Sequence, residues 1–489
     1  MQNIKNYIGG ELVPPRTRAY LPNFSPATGS PYSNTPDSEE VDATAAVDAA
    51  AKAFPKWSAL PAAQRSQYLR KIAEAIRLRK DEFARAESVD TGKPLSTALE
   101  IDIARSIQNF EFFAEAATQF SSESHVTDQV AINYTLRSPL GVVVCIAPWN
   151  LPLYLLSWKI APALAMGNTV VAKPSEITPM TAFLLSQVCI EVGLPPGVLN
   201  IVHGLGAKVG RPLVKSPQVT AVSFTGSTKT GAEIASLAAP LFKKLSLEMG
   251  GKNPNIVFAD ADFDAALAGT LKSSFSNQGQ ICLCGSRVYV ERALYPKFRA
   301  ALLEKVAQLQ VGDPMILGID QGAVVSEAHF EKILSYIQLA RQEGGTIIAG
   351  GDRVQLQGRC ENGWFIAPTI IEGLDAHCRT NQEEIFGPVI TLAPFDSEEE
   401  VLEWANGTRY GLAASLWTNH LTRAHQFAAR LRAGIVWVNT WMLRDLRTPF
   451  GGVKDSGVGR EGGVEILRFF TEPKNVCIYH CSIYEGYRN

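Results

Sequence analysis

Val142-Val-Val-Cys-Ile146, the helical stretch Leu155 to Met166 and Thr169-Val-Val-Ala172 succeed one another with only short breaks. Two β-branched runs separated by an apolar helical segment read as a βαβ unit. The same rhythm continues with Met180 to Val192, Val198-Leu-Asn-Ile-Val202, and Ala221-Val-Ser-Phe224 leading into Thr230 to Leu237. A second alternating block runs from about Asn255 to Val438. Strands that alternate with helices in this way predict a parallel sheet covered on both faces, so the fold class is α/β.

Upstream the texture differs. Apolar residues at three- and four-residue spacing predict amphipathic helices over Glu39 to Phe54, Ala62 to Arg79 and Ala98 to Gln119. Val126 to Arg137 alternates apolar and polar residues like an exposed strand pair. Asn475-Val-Cys-Ile-Tyr-His480 reads as a strand with no local partner, which hints at pairing with a distant segment or another subunit.

At 489 residues the chain is too long for one core. A net charge of −2 with 19% charged residues gives no basic surface for nucleic acid or an anionic membrane. The N-terminus has no signal-peptide pattern. The apolar run Leu140 to Ala147 is far too short to span a bilayer and ends at Pro148. The expectation is a soluble, cytoplasmic protein with no nucleic-acid or membrane partner. Eight irregularly spaced cysteines form no disulfide framework, and Cys282-x-Cys284 lacks the second ligand pair of a zinc site. No metal is expected.

Chemistry concentrates in Phe275-Ser-Asn-Gln-Gly-Gln-Ile-Cys282-Leu-Cys284-Gly-Ser-Arg287 and Leu245-Ser-Leu-Glu248-Met-Gly-Gly251. The first sets a cysteine in a polar, glycine-bearing segment. The second ends an apolar run on a lone carboxylate. A thiol and a carboxylate that meet at one site suit covalent catalysis followed by hydrolysis. Cys282 is the candidate nucleophile, needing a helix N-terminus or a nearby cation to favour its thiolate. Asn150, in Ala147-Pro-Trp-Asn150-Leu-Pro152, is a candidate donor to the developing alkoxide alongside the Cys282 N–H. Glu248 is the candidate base that activates water. Taken singly, each has a plain alternative: buried filler, a turn residue, a strand terminus.

Phe224-Thr-Gly226-Ser227-Thr-Lys-Thr-Gly231 follows a strand and opens a helix, where backbone amides can approach a phosphate. Its G-x-x-x-x-G spacing matches neither the ordinary dinucleotide fingerprint nor a Walker A loop. A plain strand–helix turn is the competing reading. Lys173 and Glu176 leave the end of a predicted strand, where open α/β sheets bind ligands. A carboxylate there accepts ribose hydroxyls and repels a 2′-phosphate, favouring NAD over NADP; the alternative is a surface ion pair.

The chain resembles the aldehyde dehydrogenase superfamily along essentially its whole length. The resemblance rests on Pro148-Trp-Asn150, Lys173-Pro-Ser-Glu176, Phe224-Thr-Gly-Ser227 with Gly231, Leu247-Glu248-Met-Gly-Gly251-Lys, Gln278-Gly-Gln-Ile-Cys282, Glu383-Glu384-Ile-Phe386-Gly-Pro388 and Pro449-Phe-Gly-Gly452, in that order. It implies an NAD-binding domain (1–120 and 140–250), a catalytic domain (251–450) and a small β oligomerisation arm (121–139 and 470–489). It also implies a homodimer or homotetramer. By the family pattern, Glu384 holds the nicotinamide ribose, Phe386 packs near the ring, and Ile146, Trp149 and Ser227 line the cofactor path. Lys159 and Glu461 match a proton route. Retained Glu248 favours water over coenzyme A as the acyl acceptor. No histidine sits in a motif that would make the chain a cysteine hydrolase.

The substrate reading turns on Trp441-Met-Leu-Arg444-Asp-Leu-Arg447-Thr-Pro-Phe450 and on Arg105 in Ile101-Asp-Ile-Ala-Arg105. Guanidinium groups grip carboxylates, and a simple alkyl aldehyde needs none. The alternative is that these arginines are solvated or pair with Asp445. The wording of both segments resembles the family's 2-hydroxymuconic and 2-aminomuconic semialdehyde dehydrogenase branch, which implies that Arg105 and Arg444 hold a semialdehyde's carboxylate. A broad-specificity or retinal-like aldehyde dehydrogenase, and a non-enzymatic structural role of the same fold, are the competing expectations.

Overall fold

The computed structural model describes residues 1–128 and 130–480. Its first large sheet has eight strands, five of them parallel in the order Lys244–Glu248, Val219–Thr225, Val142–Ile146, Thr169–Lys173, Leu199–Ile201. Val142–Ile146 and Thr169–Lys173 are buried at every position. That burial on both faces explains why they read as unbroken apolar runs rather than as alternation. Helices Pro152–Ala165 and Met180–Glu191 carry the chain outward on one side. The chain then crosses back to Val219–Thr225 on the other side, and Thr228–Ala238 leads on to Lys244–Glu248. The winding therefore reverses between Val142–Ile146 and Val219–Thr225, where Phe224 lies opposite Ile146. The carboxyl ends of strands at such a reversal leave a crevice that binds ligands.

A second sheet of seven strands begins at Pro254–Val257, six residues beyond Glu248, and places Arg287–Glu291 beside it in parallel. Glu248 thus stands at the junction between the sheets. The Cys282 loop lies between helix Phe263–Phe275 and strand Arg287–Glu291. The third sheet is antiparallel: Thr471–Tyr479 pairs with Ala131–Pro139, which pairs with Ser124–Thr127. The C-terminal strand therefore finds its partner in its own chain. Residues 481–489 of the expected arm, with Cys481, lie outside the described residues.

Two helical details depart from expectation. Helix Lys80–Thr91 was not foreseen, because its buried face carries Glu87, Ser88, Asp90 and Thr91 and so shows little apolar periodicity. The predicted helix over Ala98 to Gln119 is two pieces, a π-helical turn Ala98–Ile103 followed by α-helix Ala104–Gln119. Widened turns of this kind concentrate at functional sites. Among the described residues, no helix is long and apolar enough to cross a membrane.

Candidate active site

Two clefts flank the point where the first sheet reverses. The outer one, about 420 Å³, is bordered by Ile146, Lys173 and Glu176 on one side and by Thr230 and Glu233 on the other. Lys173 Nζ lies 3.2 Å from Glu176 Oε2 and also donates to the Pro174 carbonyl. The inner cavity, about 230 Å³, brings together Trp149, Asn150, Ser227, Cys282, Glu384 and Phe386. Segments far apart in sequence thus meet at one place.

The cysteine loop is held in an unusual backbone. Asn277, Gln278 and Gly279 all have left-handed φ angles, 51°, 54° and 67°. Non-glycine residues in that region cost about 1–3 kcal/mol each, and such strain clusters at active sites. Surrounding hydrogen bonds keep it in place. Asn253 Nδ2 donates to the Cys282 carbonyl at 2.7 Å and to the Cys284 carbonyl at 2.9 Å, while its Oδ1 accepts from Ala413 N. Trp441 Nε1 donates to the Leu283 carbonyl. Asn150, 3% exposed, uses one amide hydrogen on the Gln280 carbonyl at 2.9 Å, leaving the second for the cavity it lines.

Electrostatics at the thiol run opposite to the sequence expectation. Burial, helped by the charges of Glu384 and Glu248, pushes the Cys282 thiol well up. Arg444 opposes this and is outweighed, and no helix begins at Cys282. A thiol with a raised pKa yields a more nucleophilic thiolate once its proton is lost.

Glu248 ends its strand nearly inaccessible, at 2% exposure, and neither carboxylate oxygen has a hydrogen-bond partner in good geometry. Burial and the neighbouring charge of Glu461 raise its pKa well above the ordinary carboxylate range, with Lys159 and Arg460 pulling the other way. Lys159 Nζ donates to Glu461 Oε1 at 2.5 Å and to Ser223 Oγ at 3.2 Å.

Gly226 and Ser227 line the inner cavity, and Ser227 caps helix Thr228–Ala238 by accepting from Thr230 N. Gly231 borders neither cleft. A Cβ there would overlap Met249 Sδ, so its smallness serves helix–strand packing rather than approach to a ligand. Glu384 is half-buried, its pKa raised by desolvation, and its Oε1 accepts from Gly251 N at 2.9 Å.

Arg105 and Arg444 share a third, open cleft of about 820 Å³. Arg447 is neutralised by Asp445, with Nη2 at 2.6 Å from Oδ2. Among the described residues Arg444 and Arg105 have no carboxylate partner. Arg444 instead lies 4.0 Å above the Phe450 ring and 5.7 Å from that of Trp158, and Arg105 lies 5.8 Å from the Tyr154 ring. Phe450 packs in one apolar cluster with Trp441 and Cys282. Helix Pro152–Ala165 ties the sites together: Tyr154 faces Arg105, Leu155 lines the thiol's cavity, Trp158 faces Arg444 and Lys159 holds Glu461.

His329 was missed by sequence reasoning. It lies in the inner cavity, with Nε2 at 2.7 Å from the Phe386 carbonyl and its ring 5.0 Å from that of Trp149. Burial lowers its pKa to about 4, so the ring is neutral. It occupies the first turn of helix Glu327–Gln342, and nothing in the local sequence separates it from a surface helical histidine.

A thiol and an amide donor line one cavity, and a buried carboxylate ends a neighbouring strand of the doubly wound sheet, an arrangement suited to covalent chemistry at sulfur. The model of the aldehyde dehydrogenase family matches residues 13–476, and the chain belongs to that family. It is 49% identical over 480 residues to a 2-aminomuconic semialdehyde dehydrogenase of Danio rerio, covering 98% of each chain. It is 45% identical to a 2-hydroxymuconic semialdehyde dehydrogenase of Pseudomonas sp. (strain CF600), covering 98% of this chain and 100% of that one. An NAD+ complex of an aldehyde dehydrogenase from Bacillus cereus superposes with a TM-score of 0.95 at 38% identity, over 98% of this chain and 97% of that one.

Proposed function

We infer that this aldehyde dehydrogenase oxidises a carboxylate-bearing semialdehyde of the 2-aminomuconic or 2-hydroxymuconic 6-semialdehyde type to the dicarboxylic acid, using NAD. The observation that carries the substrate class is the pair of guanidiniums, Arg105 and Arg444, left without carboxylate partners in the cleft beside the thiol's cluster. Two unneutralised cations there are an expense a neutral aldehyde does not require. A substrate carboxylate supplies the missing charge.

NAD fits the residues present. Glu176 at a strand end suits ribose hydroxyls, Ser227 stands at a helix N-terminus, and half-buried Glu384 with the Phe386 and Trp149 rings borders the cavity that holds Cys282. A Cβ on Gly250 would overlap the Glu384 carboxylate, so the cradle is built around that group. When bound, NAD supplies the acceptor for the hydride.

The chain's own residues do the rest. The Cys282 thiolate adds to the aldehyde carbon, and the second amide hydrogen of Asn150 with the Cys282 N–H stabilises the tetrahedral alkoxide. Collapse of that alkoxide expels hydride and leaves an acyl thioester on Cys282. Glu248, once deprotonated, takes a proton from water as the water attacks the thioester. The thiolate departs and the acid is released. The Glu461 carboxylate, held by the Lys159 ammonium, receives the proton that Glu248 must shed.

The first sheet with its helices forms the cofactor domain (1–120 and 140–250), the second the catalytic domain (251–450), and the antiparallel sheet an oligomerisation arm. Val126, Ile132, Leu136 and Ile478 are exposed on that arm, which supports burial against another copy in a dimer or tetramer. The seven described cysteines are all free, which supports a cytoplasmic setting. A kcat/KM panel of dicarboxylic semialdehydes, aliphatic aldehydes and retinal, run with NAD and NADP, tests the assignment. Carboxylate-bearing semialdehydes with NAD should lead; equal rates for neutral aldehydes would remove the substrate class.

A further inference from the structure

The geometry points to Lys93 as a positioning residue that fixes the oxyanion donor Asn150 to the π-helical turn beside Arg105, an assignment that rests on the role given to Asn150 above. Lys93 is wholly buried, and its Nζ donates to Asp102 Oδ2 at 2.8 Å and to the Asn150 main-chain carbonyl at 2.9 Å. Asp102, equally buried, belongs to the π-helical turn Ala98–Ile103, three residues before Arg105.

A buried ion pair alone is weak evidence of anything beyond structure, because desolvation offsets its attraction. The second bond is what distinguishes this one. Neither oxygen of nearby buried Glu87 has a hydrogen-bond partner in good geometry, yet the ammonium is directed at a peptide carbonyl. That carbonyl also accepts from Asn277 Nδ2 at 3.2 Å, from the strained loop that carries Cys282. The Asn150 peptide is therefore clamped from two sides while its side chain is anchored on the Gln280 carbonyl. With three points fixed, the remaining amide hydrogen has one direction.

The anchor is itself held. Ser88 Oγ donates to the Lys93 carbonyl at 2.6 Å, and Ser106 Oγ to the Asp102 carbonyl at 2.7 Å. Asn109, on the helix that follows the π turn, donates to Tyr154 O and Ser157 Oγ on the helix that follows Asn150. The arginine that borders the substrate cleft and the amide that meets the alkoxide thus belong to one braced unit. A displacement of about 1 Å at a reacting centre can cost on the order of 10²-fold in rate.

The test is a double-mutant cycle between Lys93→Met and Asn150→Ala, read per titrated Cys282 thiol. Two bursts are measured: NADH release with a neutral aliphatic aldehyde, and nitrophenol release from p-nitrophenyl acetate, which needs no nicotinamide. Both pass through an oxyanion at Cys282. Lys93→Met should slow each burst about 10–100-fold, less than the roughly 10²–10³-fold that outright loss of an oxyanion donor costs, because the donor is misdirected rather than removed. In the Asn150→Ala background it should cost less than about twofold, since sites that act as one unit do not add. An equal loss in both backgrounds, or a per-site burst within twofold of wild type for Lys93→Met, overturns the inference. Asn150→Ala leaving the bursts intact removes the reading of Asn150 and this inference with it. Should Lys93→Met not fold, Lys93→Met/Asp102→Asn removes both charges together and is carried through the same cycle with the same outcomes.

Discussion

Lys159 and Glu461 form a contact of 2.5 Å in which neither side chain is more than 1% exposed, and Glu248 titrates in the field of both. Because the charge of Glu461 raises the Glu248 pKa, replacing it by glutamine removes the repulsion and leaves the charges of Lys159 and Arg460 unopposed by it. Glu248 then becomes a base at lower pH. For Glu461→Gln, the rising limb of thioester hydrolysis against pH should move down, and for Lys159→Met it should move up. Both limbs staying where they are in the wild-type enzyme would show that this pair does not set the Glu248 proton.

Glu248→Ala should still form the thioester, because the residue serves only the hydrolytic half. A single-turnover burst of NADH close to one per titrated thiol is expected, followed by turnover slowed about 10²–10⁴-fold, the usual worth of a general base. Mass spectrometry should find the acyl group on Cys282. Steady turnover near wild type would remove Glu248 from the role.

Arg444 has aromatic rings beneath it and no carboxylate beside it. A charge-assisted hydrogen bond contributes about 1.5–3 kcal/mol, so Arg444→Ala should lower kcat/KM for a carboxylate-bearing semialdehyde by roughly 10–150-fold. A neutral aldehyde should change by less than about threefold. An equal loss on both would return Arg444 to a packing role.

Glu176 sits one-third exposed with Lys173 Nζ at 3.2 Å. Glu176→Ser removes the charge that repels a 2′-phosphate. A repulsion of roughly 1–2 kcal/mol corresponds to an NADP/NAD ratio of kcat/KM raised about 5–30-fold. A ratio that does not move would place the discrimination elsewhere.

How much of this was legible before the fold is a question of which residues carry local patterns. Val142–Ile146 and Thr169–Lys173 announced a buried parallel sheet because both faces are covered. Cys282, Glu248 and Asn150 stood out because each interrupts an apolar or turn-rich segment, and the structure brings Cys282 and Asn150 to one cavity with Glu248 electrically coupled to the thiol. The Arg447–Asp445 pair was foreseeable from a two-residue spacing, whereas the isolation of Arg444 from any carboxylate was not.

Other features depend on long-range contacts and left no local trace. Lys93 reaches Asn150 across 57 residues, and His329 reaches Phe386 across 57 more. Helix Lys80–Thr91 hides its pattern because its buried face is polar. The expectation of a cation-activated Cys282 failed because spacing reports which residues are near in sequence, not how much water the fold removes. Gly231 was read as a phosphate-side glycine, and only the packing of Met249 against it shows why a side chain is excluded there.

The proposed chemistry depends above all on the sulfur of Cys282 carrying the acyl group. Cys282→Ala, tested with a carboxylate-bearing semialdehyde and NAD while NAD binding is followed by quenching of tryptophan fluorescence, should still bind the dinucleotide and produce no NADH above background. NADH formation by that variant at a rate near wild type would contradict covalent catalysis at Cys282.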